Sequence, residues 1–318
     1  MSLLEIRSLK AYYTVARGQV KAVDDVGLSV RRGEALGLVG ESGCGKSTLA
    51  LATMRLGPSN MQIVDGSIEF DGTDILKVDN NIFRRNYRWR KMSMVFQGAM
   101  NALNPVFKVG DQIAEAIISH EDAEKTEALE RAARLIQLVG IDPKRINSYP
   151  HELSGGMKQR IMIAMALALD PNFVIADEPT TALDVIVQAQ ILKVLKDLQG
   201  KLNLSLMLIS HDLSVVAELC DSISIMYAGR ILEYGEIGSV FRNPRHPYTK
   251  GLISSFPSIK ASRRELTSIS GAPPNLLNPP SGCRFHPRCP YADESCKTEE
   301  PKMENISDRH HVACHHMG

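Results

Sequence analysis

Gly40-Glu41-Ser42-Gly43-Cys44-Gly45-Lys46-Ser47 places glycines where backbone N–H groups must turn inward around a phosphate, then a lysine and a hydroxyl. In this pattern Gly40, Ser42, Gly43, Cys44 and Gly45 build the cradle and Lys46 reaches the β- and γ-phosphates. Ser47 offers its hydroxyl to magnesium, and Thr48 contacts the α-phosphate. The loop follows the apolar run 35–39 and opens an amphipathic helix, whose N-terminus adds a positive dipole end. The ligand this chemistry fits is a nucleoside triphosphate with Mg2+. A second acidic element suits it: after the apolar run 173–176, Asp177 can hold magnesium through water and Glu178 can orient and deprotonate an attacking water.

Four cysteines form the other chemical cluster. Cys283, Cys289, Cys296 and Cys314 fall as Cys-x5-Cys-x6-Cys-x17-Cys, without the tight Cys-x2–4-Cys knuckles usual for structural zinc. Four thiolates converging in a proline-rich tail favour a [4Fe-4S] cluster, with Zn2+ and free or oxidised thiols as the alternatives. His286, His310, His311, His315 and His316 are further donors, but four cysteines complete a site without them.

The rest of the chain must position these groups. Its 318 residues exceed the usual size of one domain, and 44% hydrophobic with 23% charged residues excludes a disordered or collagen-like polymer. A formal net charge of +1 gives no global field to recruit nucleic acid. The longest apolar run, 161–169, is too short for a membrane span, and Glu5, Arg7 and Lys10 interrupt any signal-like start, so a cytosolic chain with reduced cysteines is expected. Short apolar runs at 35–39, 173–176 and 204–209 alternate with helical patterns, which predicts a parallel sheet with helices packed on it. Ile191, Leu195, Leu198 and Leu202 recur at helical spacing, and Ala228-Gly229 between two apolar runs predicts a hairpin. From 108 to 140 the helical period continues without a buried strand, so a helical subdomain is expected there. Ten of the 16 prolines lie beyond Phe241, which marks a change of texture near 241–250.

Leu153-Ser154-Gly155-Gly156-Met157-Lys158-Gln159-Arg160, then Ala182-Leu183-Asp184 and His211, make the chain resemble the nucleotide-binding subunits of ABC transporters over roughly residues 3–240. The resemblance implies an α/β P-loop NTPase fold, with a RecA-like core, antiparallel β and helical subdomains. Residues 1–245 would form the ABC ATPase domain, with the helical subdomain about 98–165, and 246–318 a loop-rich metal-binding C-terminal extension. It further implies that two such domains sandwich ATP. Ser154, Gly155 and Gly156 then face a γ-phosphate held by the partner, and Asp184 makes an interdomain contact. Gln97 serves as magnesium ligand and γ-phosphate sensor, and His211 holds the γ-phosphate beside Glu178. Tyr13, with Tyr12 the neighbouring alternative, stacks on adenine. Met157 stands where the family often has Gln, which removes one side-chain hydrogen bond from the signature.

A narrower resemblance, to the ATPase subunits of oligopeptide and dipeptide importers, rests on Tyr149-Pro150-His151-Glu152, Asn243-Pro244-Arg245-His246-Pro247-Tyr248-Thr249 and the run from Pro280 to Pro290. It implies an ATPase that powers peptide import, and an iron-sulfur cluster as in some members. The expected partners are a second ATPase subunit in a heterodimer, two transmembrane permease subunits and, indirectly, an extracytoplasmic binding protein. The expected location is the cytoplasmic face of the membrane, as a peripheral subunit. Sugar or metal cargo, or a soluble non-transport ATPase of the same superfamily, are the other readings; the latter usually carry a long coiled coil or two motif sets, which this chain lacks.

Overall fold

The computed structural model describes residues 2–98, 102–181, 183–255, 269–307 and 309–316. Ala182 of the Ala-Leu-Asp motif and residues 99–101 of the expected helical subdomain lie outside the described residues. The described strands are, in chain order, β1 (Ser2–Val15), β2 (Gly18–Arg31), β3 (Ala35–Val39), β4 (Met61–Phe70), β5 (Thr73–Asp74), β6 (Met92–Val95), β7 (Phe173–Asp177), β8 (Ser205–Ser210), β9 (Ser222–Tyr227), β10 (Arg230–Glu236), β11 (Glu304–Ser307) and β12 (His310–Val312). They belong to two compact units, 1–76 with 208–318, and 77–207.

In the first unit an antiparallel sheet runs β2-β1-β4-β5. β1 and β2 pair from Ser2↔Arg31 to Val15↔Gly18. Ser8, at φ 45, marks an irregularity opposite Gly66, where a Cβ would come within 2.6 Å of the Ser8 carbonyl and Leu9 Cα. That bulge resets the period-2 alternation between Ile6 and Leu9, so that Leu4, Ile6, Leu9 and Ala11 are all buried. The second sheet of this unit runs β11-β12-β10-β9-β3, with β8 beside β3. β3 is buried throughout and pairs in parallel with β9, from Leu36↔Ser222 to Val39↔Ile225. A strand covered on both faces explains its unbroken apolar sequence.

The extension is largely irregular, as its prolines dictate, but it also contributes β11 and β12 to this sheet. Glu233 of β10 lies opposite Val312 and Tyr234 opposite His311. A buried polar cluster secures the join: Glu233, fully buried, accepts from the backbone N–H groups of Arg245 (2.8 Å) and His246 (2.9 Å) and from His310 Nε2 (2.7 Å). On the other side Arg284 pairs with the buried carboxylate of Asp24 and donates to the Ala228 carbonyl. Asp24 also accepts from Tyr12 Oη at 2.5 Å. A buried charge is tolerated only when matched in this way.

His246 caps the helix Pro247–Ser254 by accepting the Tyr248 N–H at Nδ1, 3.0 Å away. Protonation of Nδ1 would abolish that cap. Burial, with a smaller contribution from the Lys250 charge, lowers its pKa to about 3, against about 6.5 in an unfolded chain. Between these values the unfolded state binds a proton that the folded state refuses, so stability falls as pH drops below about 6.5, by up to about 1.4 kcal/mol per pH unit. His246→Asn keeps a capping oxygen without the titration. In urea unfolding, the loss between pH 7 and pH 5 is therefore expected to be about 2 kcal/mol smaller in this variant than in the native chain; equal losses would refute the assignment.

In the second unit β6 and β7 pair in parallel, from Met92↔Phe173 to Val95↔Ala176. Helices Asn80–Asn86, Val109–Ile118, Lys125–Leu138, Gly155–Ala166 and Val185–Leu202 surround them. The helical period of 108–140 becomes the two helices Val109–Ile118 and Lys125–Leu138, which bury Val109, Ile113, Ile117, Ala128, Ala132, Leu135 and Ile136. Trp89 Nε1 donates to the Met165 carbonyl at 3.0 Å, securing the helix that follows the Ser154 signature.

Candidate nucleotide site and cysteine cluster

The first unit supplies the phosphate cradle. β3 delivers Gly40, where a Cβ would lie 2.0 Å from the Met226 carbonyl, so no side chain fits. Gly45 caps the helix Lys46–Thr53 in the left-handed region, φ +111, and a Cβ there would lie 2.0 Å from the Ala22 carbonyl. Gly43 also has positive φ, +78. The loop thus exposes backbone N–H groups at a helix N-terminus, the geometry that binds an anion. Lys46 is 6% exposed, and its Nζ donates to the carbonyls of Gly40 (2.8 Å) and Glu41 (2.9 Å), with Cys44 Sγ at 3.6 Å. Burial raises the pKa of the Cys44 thiol, so it is inert.

Tyr12 and Tyr13 point to opposite faces of β1, as the alternation of a strand requires. Tyr12 is buried with its hydroxyl committed to Asp24, whereas Tyr13 is half-buried with its hydroxyl 3.2 Å from Thr48 Oγ1 of the phosphate loop helix. His211 sits exposed after β8, just before Asp212 caps the helix Leu213–Leu219.

The second unit brings the acidic residues together. Asp177 is buried at the end of β7. Glu178 follows at φ 44, a conformation uncommon for a side chain of this size and one that clusters at functional sites. Two donors hold its Oε2: Gln97 Nε2 at 2.9 Å and Thr181 Oγ1 at 2.9 Å. Gln97 and Glu178, 81 residues apart, are thus hydrogen-bonded, and Thr181 is a positioning residue that the motif reading missed. Its only sequence signal is a hydroxyl three residues after the acid.

Ser154 caps the helix Gly155–Ala166, accepting the Met157 N–H at 3.3 Å, so Gly155 and Gly156 lie in its first turn. A Cβ on Gly156 would lie 2.5 Å from Val187 Cγ1, which fixes this helix against Val185–Leu202. Asp184 caps the latter helix through the Val187 N–H at 3.0 Å. Val185 and Ile186 in that helix's first turn are 80% and 72% exposed.

Against this geometry, residues 23–181 match the family model for ABC transporters, and residues 232–296 match the oligopeptide/dipeptide transporter C-terminal region. The dipeptide transport ATP-binding protein DppD of Caldanaerobacter subterraneus is 42% identical over 315 residues, covering 98% of this chain and 96% of that protein. The oligopeptide transport ATP-binding protein OppD of Bacillus subtilis is 46% identical over 314 residues, covering 98% and 87%. The chain belongs to the oligopeptide/dipeptide family of ABC transporter ATP-binding subunits. It is therefore an ABC-type ATPase. A solved dimeric bacterial ABC transporter cassette, MJ0796, superposes with a TM-score of 0.65 at 25% identity, covering 74% of this chain and 98% of that one. Among the described residues no helix is long and apolar enough to cross a membrane.

In the extension of this ATPase subunit the four cysteines are free of disulfides; Cys283, Cys296 and Cys314 are buried and Cys289 is half-buried. The Cys283 N–H donates to the Cys296 carbonyl at 2.9 Å. Burial first, then the neighbouring Cys296, Cys314 and Cys289 thiols, push the Cys283 pKa up to about 11. Among the described residues, the metal-capable side chains whose ligand atoms lie within 4.8 Å of one another are Asp293, Cys296 and His316.

Proposed function

We propose that this ATPase powers the import of peptides across the cytoplasmic membrane as a peripheral subunit on its inner face. The observation that carries the reading is the joint presence of a complete phosphate loop with its acidic partner and an extension of the oligopeptide/dipeptide type in one chain. Gly40 to Gly45 bind the phosphates through backbone N–H groups, with Lys46 compensating their charge and Thr48 at the α-phosphate. Tyr13, on the loop side of β1, stacks on adenine. Glu178, held by Gln97 and Thr181, takes the proton of the attacking water, and His211 orients the γ-phosphate. Ser47 and Gln97 would hold magnesium directly and Asp177 would hold it through water, oxygen donors that suit a hard cation, and the ion would supply positive charge to offset that of the phosphates.

A second ATPase subunit, different in sequence, completes the site. The exposed Val185 and Ile186 beside Asp184, and the Ser154-Gly155-Gly156 anion site at a helix N-terminus, are the surfaces it would cover. Two permease subunits and an extracytoplasmic binding protein complete the importer. The four free cysteines would hold a [4Fe-4S] cluster, since an all-thiolate donor set is the ordinary ligation of such clusters. Zinc on Asp293, Cys296 and His316 is the alternative.

The reading is tested with the assembled transporter in lipid vesicles. Labelled dipeptides and oligopeptides are expected to accumulate only when ATP is supplied on the side of this subunit. ATP-driven uptake of a sugar or metal without peptide uptake would refute the cargo.

A further inference from the structure

Two residues of the C-terminal extension reach the second residue of the phosphate loop, all within the first unit. Tyr248, fully buried, accepts the backbone N–H of Glu41 at its hydroxyl, 3.1 Å away. Arg288 donates from Nη1 to Glu41 Oε2 at 2.8 Å and to Tyr227 Oη at 3.3 Å, while its guanidinium lies 5.7 Å from the Tyr227 ring centre. Its other nitrogens are fixed by backbone carbonyls, Nε to Ser270 (2.8 Å) and Nη2 to Ile269 (3.3 Å). The Arg288 side chain is 7% exposed and that of Glu41 24%, so the pair is poorly screened.

Phosphate chemistry has no use for a carboxylate in this loop. Glu41 places a negative charge in a site built for an anion, and its own carbonyl is one of the two that hold Lys46 Nζ. Left uncompensated in a weakly screened environment, that charge would oppose the phosphates of ATP. Arg288 cancels it, and it does so from the position immediately before Cys289.

We propose that Arg288, supported by Tyr248, is a positioning residue through which the cysteine-rich extension sets the nucleotide affinity of the phosphate loop. Neither residue need touch ATP. The inference rests on ATP binding at Gly40–Thr48 and on no particular metal in the extension. Because coupling between sites is reciprocal, nucleotide bound to the loop must also tighten the extension around Arg288.

The test is equilibrium binding of methylanthraniloyl-ATP to the purified full chain and three variants. Arg288→Ala is expected to weaken binding about tenfold, because Glu41 is left uncancelled. Measured against Glu41→Gln, where no loop charge needs cancelling, Glu41→Gln in the Arg288→Ala background is expected to differ by less than about threefold, so the tenfold cost of losing Arg288 disappears. A merely structural arginine would cost the same in either background, so a double variant about tenfold weaker than Glu41→Gln overturns the proposal. Native affinity in Arg288→Ala overturns it as well. Failure of the native chain itself to bind the analogue would instead refute nucleotide binding at this loop, and the inference with it. Should Arg288→Ala not fold, hydrogen exchange of the native chain decides: slower exchange of the 284–290 amides on adding ADP with magnesium supports the coupling, and unchanged exchange refutes it.

Discussion

Glu178→Gln is expected to lower steady-state ATP turnover by about 10²–10⁴-fold, the contribution typical of a positioned general base. Binding of ATP should survive, because the substitution leaves the phosphate loop and Lys46 untouched. The amide is nearly isosteric and can still meet Thr181 and, after rotation, Gln97, the two partners that hold the native carboxylate. What it loses is the ability to accept a proton from water. The outcome is read as phosphate release together with retained nucleotide, and an ATP-bound assembly with the partner subunit should accumulate. Turnover within twofold of native would remove Glu178 as the base, and the strained φ of 44 at this residue would then need another explanation. Loss of binding along with turnover would point instead to collapse of the turn after β7.

Chains purified without oxygen are expected to carry about four irons and four acid-labile sulfides, with visible absorption that bleaches on reduction. The local apolar core around the thiols is small: among the described residues Cys283, Phe285, Cys296, Val312, Ala313 and Cys314 are its buried members. In such a setting metal binding is folding free energy, on the order of 10 kcal/mol for structural zinc in small domains. Stripping the metal with a chelator, or Cys283→Ser, is therefore expected to open the amides of 283–314 to hydrogen exchange while β1, β2 and β3 stay protected. Zinc without iron and sulfide would refute the cluster and direct attention to Asp293, Cys296 and His316. A metal-free chain with the extension fully protected would refute any structural metal.

The chemical positions were legible wherever chemistry constrains neighbours in sequence. The glycines of the phosphate loop could be named because backbone N–H groups must line a phosphate. The strand at 173–177, the helix at 185–202 and the hairpin at 222–236 followed from apolar runs, helical spacing and Ala228-Gly229. The four-stranded sheet of β1, β2, β4 and β5 was harder to read in detail, since the bulge at Ser8 and Gly66 breaks the alternation that would announce it. β11 and β12 were hidden for a different reason. His310–Val312 has weak strand character of its own and is held extended by β10, through Glu233 and His310.

By itself the sequence determined that this chain carries a phosphate loop, an acidic partner strand and a glycine signature, because each is a local pattern whose residue types and spacing are set by the nucleotide, and it placed four cysteines between 283 and 314. Only the tertiary structure decided how they are supported. It turned Tyr12 inward to Asp24 and Tyr13 toward Thr48, and it hydrogen-bonded Gln97 to Glu178 across 81 positions. It also set Arg288 against Glu41 across 247. Such pairs are unreadable from sequence because charge and hydrogen bonding act through space, and nothing near either residue records which distant partner satisfies it.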